Sequence, residues 1–364
     1  MTTFTRRQTV AAMGAAGVAA LAGCAAITEA PATENDAEND QLDGLADAQA
    51  VEIDRVAADP TDLPPPVDWD EPRHHEIELY TSERIAEIAP GQTFQFMTFN
   101  DQIPGPMIRV RAGDTIHLTL DNPDDMGMAH NIDFHATYGP GGGAVDTLIR
   151  PGETAEISFK AVYPGVHIYH CAVSDMDHHI SAGMFGAILV EPEDGLPAVD
   201  RELYFGQHEL YTTGDAFEEG HHEFDTPAMF DEDPSLVLVN GAKYGFTEDG
   251  AYGPVTVQQG ERVRIYYANG GPNLTSAWHP IGNVWSRLYR DGDLVSDPAR
   301  YVETTPVAPG TVVAAEIDTP VPGPIKLVDH ALSRVRAKGL MAVIDVEGEP
   351  DPEIFDPNPG DQND

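Results

Sequence analysis

The residues best equipped for chemistry lie in one run, "GVHIYHCAVSDMDHHISAGMFGAILVEP" (165–192), where His170 adjoins Cys171 and precedes His178, His179 and Met184. A second run, "AHNIDFH" (129–135), carries His130, Asp133 and His135. On an extended chain, neighbouring side chains face opposite sides and residues two apart share one. His170 and Cys171 therefore point to separate places, as do His130 and His135, with Asp133 on the side of His135. One place collects His130 and Cys171, the other His135 and His170. His179 follows Cys171 by eight residues, and Met184 follows His179 by five. A thiolate, two imidazoles and a weak axial thioether make a trigonal site suited to copper that cycles between two oxidation states. Zinc, the usual alternative for Cys/His clusters, rarely takes Met. His179 is preferred to His178 on spacing alone. The second place holds two histidines, whereas a catalytic metal takes three protein ligands and keeps one position open.

The elements that must position these residues read as β throughout. Short alternating segments such as "TFQFMTFN", "TIHLTLDN" and "TVVAAEID" are separated by Gly, Pro, Asp and Asn turns, which predicts β-sandwiches or barrels. The chain also repeats itself. "VRAGDTIHLTLDNPDD" (110–125) parallels "VQQGERVRIYYANGGP" (257–272), and "IRPGETAEISFKAVYPGVHIYH" (149–170) parallels "VAPGTVVAAEIDTPVPGPIKLVDH" (307–330). The repeat thus offers a third histidine, His330, matched to His170. It need not come from the same molecule if copies close head to tail into a ring. The expected organisation is an export signal over 1–24, an acidic disordered linker over 25–75, domains over 76–195 and 196–348, and an acidic tail over 349–364. His74, His75, His117, His167, His208, His221 and His222 read as ordinary structural or surface histidines.

Composition narrows the function further. The 61 acidic against 20 basic residues give a formal net charge of −41, without a basic patch to neutralise phosphates, so nucleic-acid binding is excluded. A solvated acidic shell suited to very high salt, and so a halophilic source, explains this charge better than steering of a partner. Molar salt screens charges beyond about 3 Å. At the N-terminus, Arg6 and Arg7 precede a short Ala/Gly-rich apolar run ending in "LAGC" (21–24), the pattern of a twin-arginine signal with a lipidated Cys24. Thr9 departs from that pattern, which usually carries an apolar residue there. The expected location is the extracytoplasmic face of the cell membrane. With Cys24 used in processing, Cys171 is the one remaining thiol, and metal ligation gives it a reason to persist.

Taken together, "NDQIPGPMIRVRAGD", "HNIDFHA", "YHCA" through "HISAGMFGAILVEP", "VNGAKYG", "NGGPNLTSAWHPIG" and "VETTPVAPGTVVAAEID…VDHAL" resemble the copper-containing nitrite reductases, across residues 76 to 347. The resemblance implies two tandem cupredoxin-like Greek-key β-sandwich domains, an assembly into homotrimers, and two coppers per chain. It implies a type 1 copper on His130, Cys171, His179 and Met184, and a type 2 copper on His135, His170 and His330 of an adjacent subunit. Asp133 and His279 match the residues that handle protons and position nitrite. The implied reaction is the one-electron reduction of nitrite to nitric oxide and water, fed by a small blue copper protein or cytochrome c. The acidic "AVSDMDHH" linker departs from the family and bears on how that donor docks. A laccase-like oxidase would need His-x-His pairs and a His-Cys-His run, which the chain lacks. A blue copper carrier would leave Asp133, His135, His170 and His330 idle.

Overall fold

The computed structural model describes residues 44–359. The first half contains β1 (His74–Ala89), β2 (Gln92–Phe99), β3 (Gly105–Arg111), β4 (Thr115–Asn122) and β5 (Asp133–Phe134). It continues with β6 (Glu153–Lys160), β7 (Gly165–His170), helix α1 (Met176–Ser181) and β8 (Phe185–Glu191). The second half contains β9 (Arg201–Leu210), β10 (Gly220–His222), α2 (Thr226–Phe230), β11 (Leu236–Val239), β12 (Val255–Gln258) and β13 (Arg262–Gly271). After it come β14 (Ser276–Ile281), β15 (Arg287–Tyr289), β16 (Thr305–Val307), β17 (Thr311–Asp318), β18 (Gly323–Asp329), α3 (Ser333–Lys338) and β19 (Ala342–Glu347).

The fold is all-β, in four sheets. One half uses the orders β10-β2-β1-β4-β6 and β3-β8-β7-β5, the other β11-β9-β13-β17-β15 and β12-β19-β18-β14-β16. Replacing β2-β1-β4-β6 by β11-β9-β13-β17, and β3-β8-β7-β5 by β12-β19-β18-β14, maps one half on the other. The sequence repeat is thus a repeat of topology, and α1 and α3 occupy equivalent places before the last strand of each half.

The sheet built on β9, β13 and β17 is buried on both faces. Leu203, Phe205, Val263, Ile265, Tyr267, Val313 and Ala315 enter the core of the second half. Their alternate neighbours Tyr204, Tyr266, Ala268, Val312 and Ala314 join the core of the first. A period of two with both parities apolar is what a strand sandwiched between two cores requires. Burying each such large side chain contributes roughly 1.5–3 kcal/mol, so the two halves are held together by core packing.

Two features depart from the sequence reading. The segment expected as a disordered linker is, over residues 44–73, laid on the body. Val56, Ala57 and Ala58 are buried, and Ala57 bridges to Ile103. Pro60 accepts from the Tyr204 N–H, and Trp69 donates to Asp114. A few apolar residues at the right places suffice to dock an acidic, proline-rich strap. Second, β10 comes from the second half but pairs in parallel with β2 of the first. The expected signal over 1–24, with Arg6, Arg7 and Cys24, lies outside the described residues.

Candidate metal centres

β5 and β7 run antiparallel with Asp133 directly opposite His170 and Phe134 opposite Tyr169. Residues opposed across a ladder share a face. Asp133, His135 and His170 accordingly present ligand atoms within 4.8 Å of one another. On the other side of the same chain, His130, Cys171 and His179 do likewise, all three buried. The structure thus brings together each set that strand parity had grouped. Behind them stands Tyr169, fully buried against Phe99 and Phe134, with its hydroxyl donating to the Pro106 carbonyl at 2.6 Å.

In the buried cluster, the Nδ1 atoms of His130 and His179 approach to 3.1 Å, and Cys171 Sγ lies 3.9 and 3.5 Å from them. Met184 is fully buried, and its carbonyl accepts from the Cys171 N–H at 3.1 Å. His130 Nε2 lies 3.3 Å from Glu83 Oε1, which also accepts from the Gly127 and Met128 N–H groups at 3.0 and 2.8 Å. Burial pushes the Glu83 carboxyl up, but the bonds from His130 and the two N–H groups outweigh it and hold the carboxyl below its ordinary range. An ionised carboxylate only accepts, which puts the His130 proton on Nε2 and turns the Nδ1 lone pair inward.

The donor set fits a bound cation. Burial pushes the Cys171 thiol up to about 11, so a thiolate here requires a positive partner. Burial, reinforced by His130, pushes His179 down to about 4, keeping its imidazole neutral as a ligand must be. Two imidazole nitrogens and a thiol supply a soft, mixed N/S set that favours copper, and Met184 is buried and bonded through its backbone to Cys171 and His179.

In the second cluster, His170 Nδ1 donates to the Cys171 carbonyl at 2.8 Å, leaving its Nε2 lone pair 3.1 Å from His135 Nε2. Burial lowers His135, the charge of His170 lowers it further, and Asp133 opposes both. Tyr163 donates its hydroxyl to the His135 carbonyl at 2.8 Å. Asp133 is half-buried beside the turn at Gly142, whose φ is +58°. A Cβ at Gly142 would overlap Asp133 Oδ1 and press on the Phe134 carbonyl, so the absent side chain is what leaves room for the carboxylate.

His279 and His330 lie together in the second half, with ring centroids 5.3 Å apart. β14 and β18 pair His279 with Val328, and His330 donates its N–H to the Ala277 carbonyl at 2.7 Å. Buried Asp329 accepts from the Ala277 and Ala331 N–H groups, bracketing the exposed His330. His279 Nδ1 donates to the Glu303 carbonyl at 2.6 Å, which leaves Nε2 free. Neither histidine joins a cluster of three ligands among the described residues.

The chain from 81 to 195 matches the family model of the multicopper oxidases. It is 38% identical to the copper-containing nitrite reductase of Neisseria gonorrhoeae, over 96% of this chain and 90% of that one. To the enzyme of the same name from Cereibacter sphaeroides it is 33% identical, over 93% and 96%. The solved copper nitrite reductase from Nitrosomonas europaea superposes with a TM-score of 0.69 at 33% identity, covering 77% of this chain and 96% of that one. The chain belongs to the copper-containing nitrite reductases.

Within this copper-containing nitrite reductase the second half of the acidic linker, from Met176, folds into α1, and His178 has a different task from His179. Its ring stacks on Phe224 at 3.8 Å, which ties α1 to the second half. Of the histidines set aside, His75 pairs with Asp114, and His208 donates to the Ser181 carbonyl at the end of α1. His167 is the one that approaches a cluster. Burial, and then the charge of His135, push it down to about 4. Sequence reading missed Glu83, one carboxylate among many. It also missed Asn131, whose Oδ1 accepts from the Ala172 N–H at 2.7 Å and lies 3.6 Å from Cys171 Sγ. Its place between His130 and Ile132 was the available signal.

Proposed function

We propose that this chain reduces nitrite by one electron and two protons to nitric oxide and water, with the work divided between two copper centres. The observation that carries this reading is the opposed facing of His170 and Cys171 into two separate ligand clusters. His130, Cys171, His179 and Met184 would hold a type 1 copper. His135 and His170, with His330 of an adjacent subunit, would hold a type 2 copper. When bound, the first copper supplies single-electron exchange and the second a Lewis acid with an open position for nitrite.

The remaining chemistry belongs to the protein. Cys171 and His170 share a peptide link, and the bond from His170 Nδ1 to the Cys171 carbonyl adds a second connection between the two donor sets. Asp133, seated in the space left by Gly142, is placed to hand a proton to an oxygen of nitrite as the N–O bond breaks. His279, with Nδ1 engaged by the Glu303 carbonyl, offers Nε2 for the other proton or for a water that relays it. Because neither His279 nor His330 joins the cluster of Asp133, His135 and His170 within one chain among the described residues, a head-to-tail homotrimer is the assembly that would complete each site.

The donor would be a small redox protein, either a blue copper protein or a cytochrome c. The N-terminal pattern supports a location at the extracytoplasmic face of the membrane with a lipid on Cys24, and the net charge suits a halophilic setting. A copper count with paramagnetic resonance tests the central division. Two coppers per chain, one with a strong visible charge-transfer band, is the expected result. One copper would indicate a carrier, and four an oxidase.

A further inference from the structure

Both imidazoles of the buried cluster have a carboxylate behind them, but the two are not equivalent. Asp175 Oδ1 lies 3.6 Å from His179 Nε2, beyond hydrogen-bond reach, and its side chain is more than half exposed. Water and salt screen such a pair to little effect. Glu83 is different. Its residue is 9% exposed, and one oxygen gathers the Gly127 and Met128 N–H groups together with His130 Nε2. A backbone N–H can only donate, so this oxygen is an acceptor fixed in place by the turn at 126–128. Its own backbone is held too, since the Glu83 N–H points at Met126 Sδ at 3.1 Å.

We propose that Glu83 is a positioning residue for the electron-transfer centre, fixing the tautomer and orientation of His130 and holding the centre's reduction potential down. This rests on the assignment of His130, Cys171, His179 and Met184 to a type 1 copper. A carboxylate hydrogen-bonded to a ligand histidine sets which nitrogen carries the proton and makes the other a stronger donor. A buried negative charge also favours the metal's higher oxidation state, because few solvent dipoles are present to compensate it. Glu83 lies on β1, far in sequence from every ligand, and is tied to His130 by the folding of the turn between β4 and β5.

The test is a redox titration of the copper-loaded protein, following the thiolate-to-copper charge-transfer band, for wild type, Glu83→Gln and Asp175→Asn. Glu83→Gln keeps shape and bonding capacity but removes the charge. It should retain the band and shift the potential upward, and the shift should persist in molar salt. Asp175→Asn should shift it less, and the difference should fade as salt is added. If Glu83→Gln yields no soluble protein, Glu83→Asp, which keeps the charge but withdraws it from His130, should give an upward shift of smaller size. An intact band with an unchanged potential in the Glu83 variant would overturn the proposal. Absence of the band from the copper-loaded wild type would instead overturn the type 1 assignment beneath it.

Discussion

His170 and Cys171 are consecutive residues whose side chains serve opposite sides of the same strand end. His170 Nε2 meets His135 Nε2 at 3.1 Å, while Cys171 Sγ faces the Nδ1 atoms of His130 and His179 at 3.9 and 3.5 Å. The pleat of a β-strand is enough to produce this split. Shifting the register by one residue would send each side chain to the wrong cluster. The bond from Met184, the residue just before β8, whose carbonyl accepts from the Cys171 N–H, guards against that slip.

Cys171→Ala removes the only thiol of the buried cluster. The visible charge-transfer absorption should vanish, while a paramagnetic signal from the second copper remains. Colour that survives the substitution would show that the thiolate ligand lies elsewhere.

Gly142→Ala adds one methyl where Asp133 Oδ1 now sits and puts a Cβ at a positive φ. The backbone term costs about 1–2 kcal/mol. Displacing a proton donor by about 1 Å can cost roughly 100-fold in rate. Turnover should therefore fall by about two orders of magnitude with the charge-transfer band unchanged, as read by parallel rate and absorption measurements.

Mixing His330→Ala chains with Asp133→Ala chains should restore activity that neither has alone. In randomly assembled 1:1 trimers about a quarter of the shared sites would pair an intact Asp133 with an intact His330. Demonstrably mixed trimers with no recovery would mean that the site is not shared.

Acid stability carries a signature of His208. Burial pushes this histidine down to about 4, against the partial help of its bond to the Ser181 carbonyl. The unfolded chain protonates its histidines near 6.5. Between about 6.5 and 4 the unfolded state therefore takes a proton that the folded state refuses, so stability is full above that window and declines as pH falls through it. At about 1.4 kcal/mol per unit the loss approaches about 3 kcal/mol. In chemical denaturation at pH 7 and pH 4.5, His208→Gln should lose less stability than wild type between the two conditions.

Much of the site was legible because its logic is local. Parity grouped Asp133 with His135 and His170, and the "PG…H" repeat placed His330 just past the end of β18, where His170 ends β7. What escaped depends on tertiary contact. Glu83 carries no periodic or spacing cue, and only the turn at 126–128 brings it to His130. The stacking of His178 on Phe224 joins segments far apart in the chain. The strap over 44–73 reads as spacer because its apolar residues are few, yet Val56, Ala57 and Ala58 are each inserted in the body.

The most direct measurement is anaerobic turnover of nitrite by copper-loaded protein with an artificial electron donor, with nitric oxide quantified as it forms. One nitric oxide per electron consumed, with a rate that collapses when Asp133 is replaced by Asn, is the predicted result. Reduction of the copper by the donor with no nitric oxide produced would contradict the account.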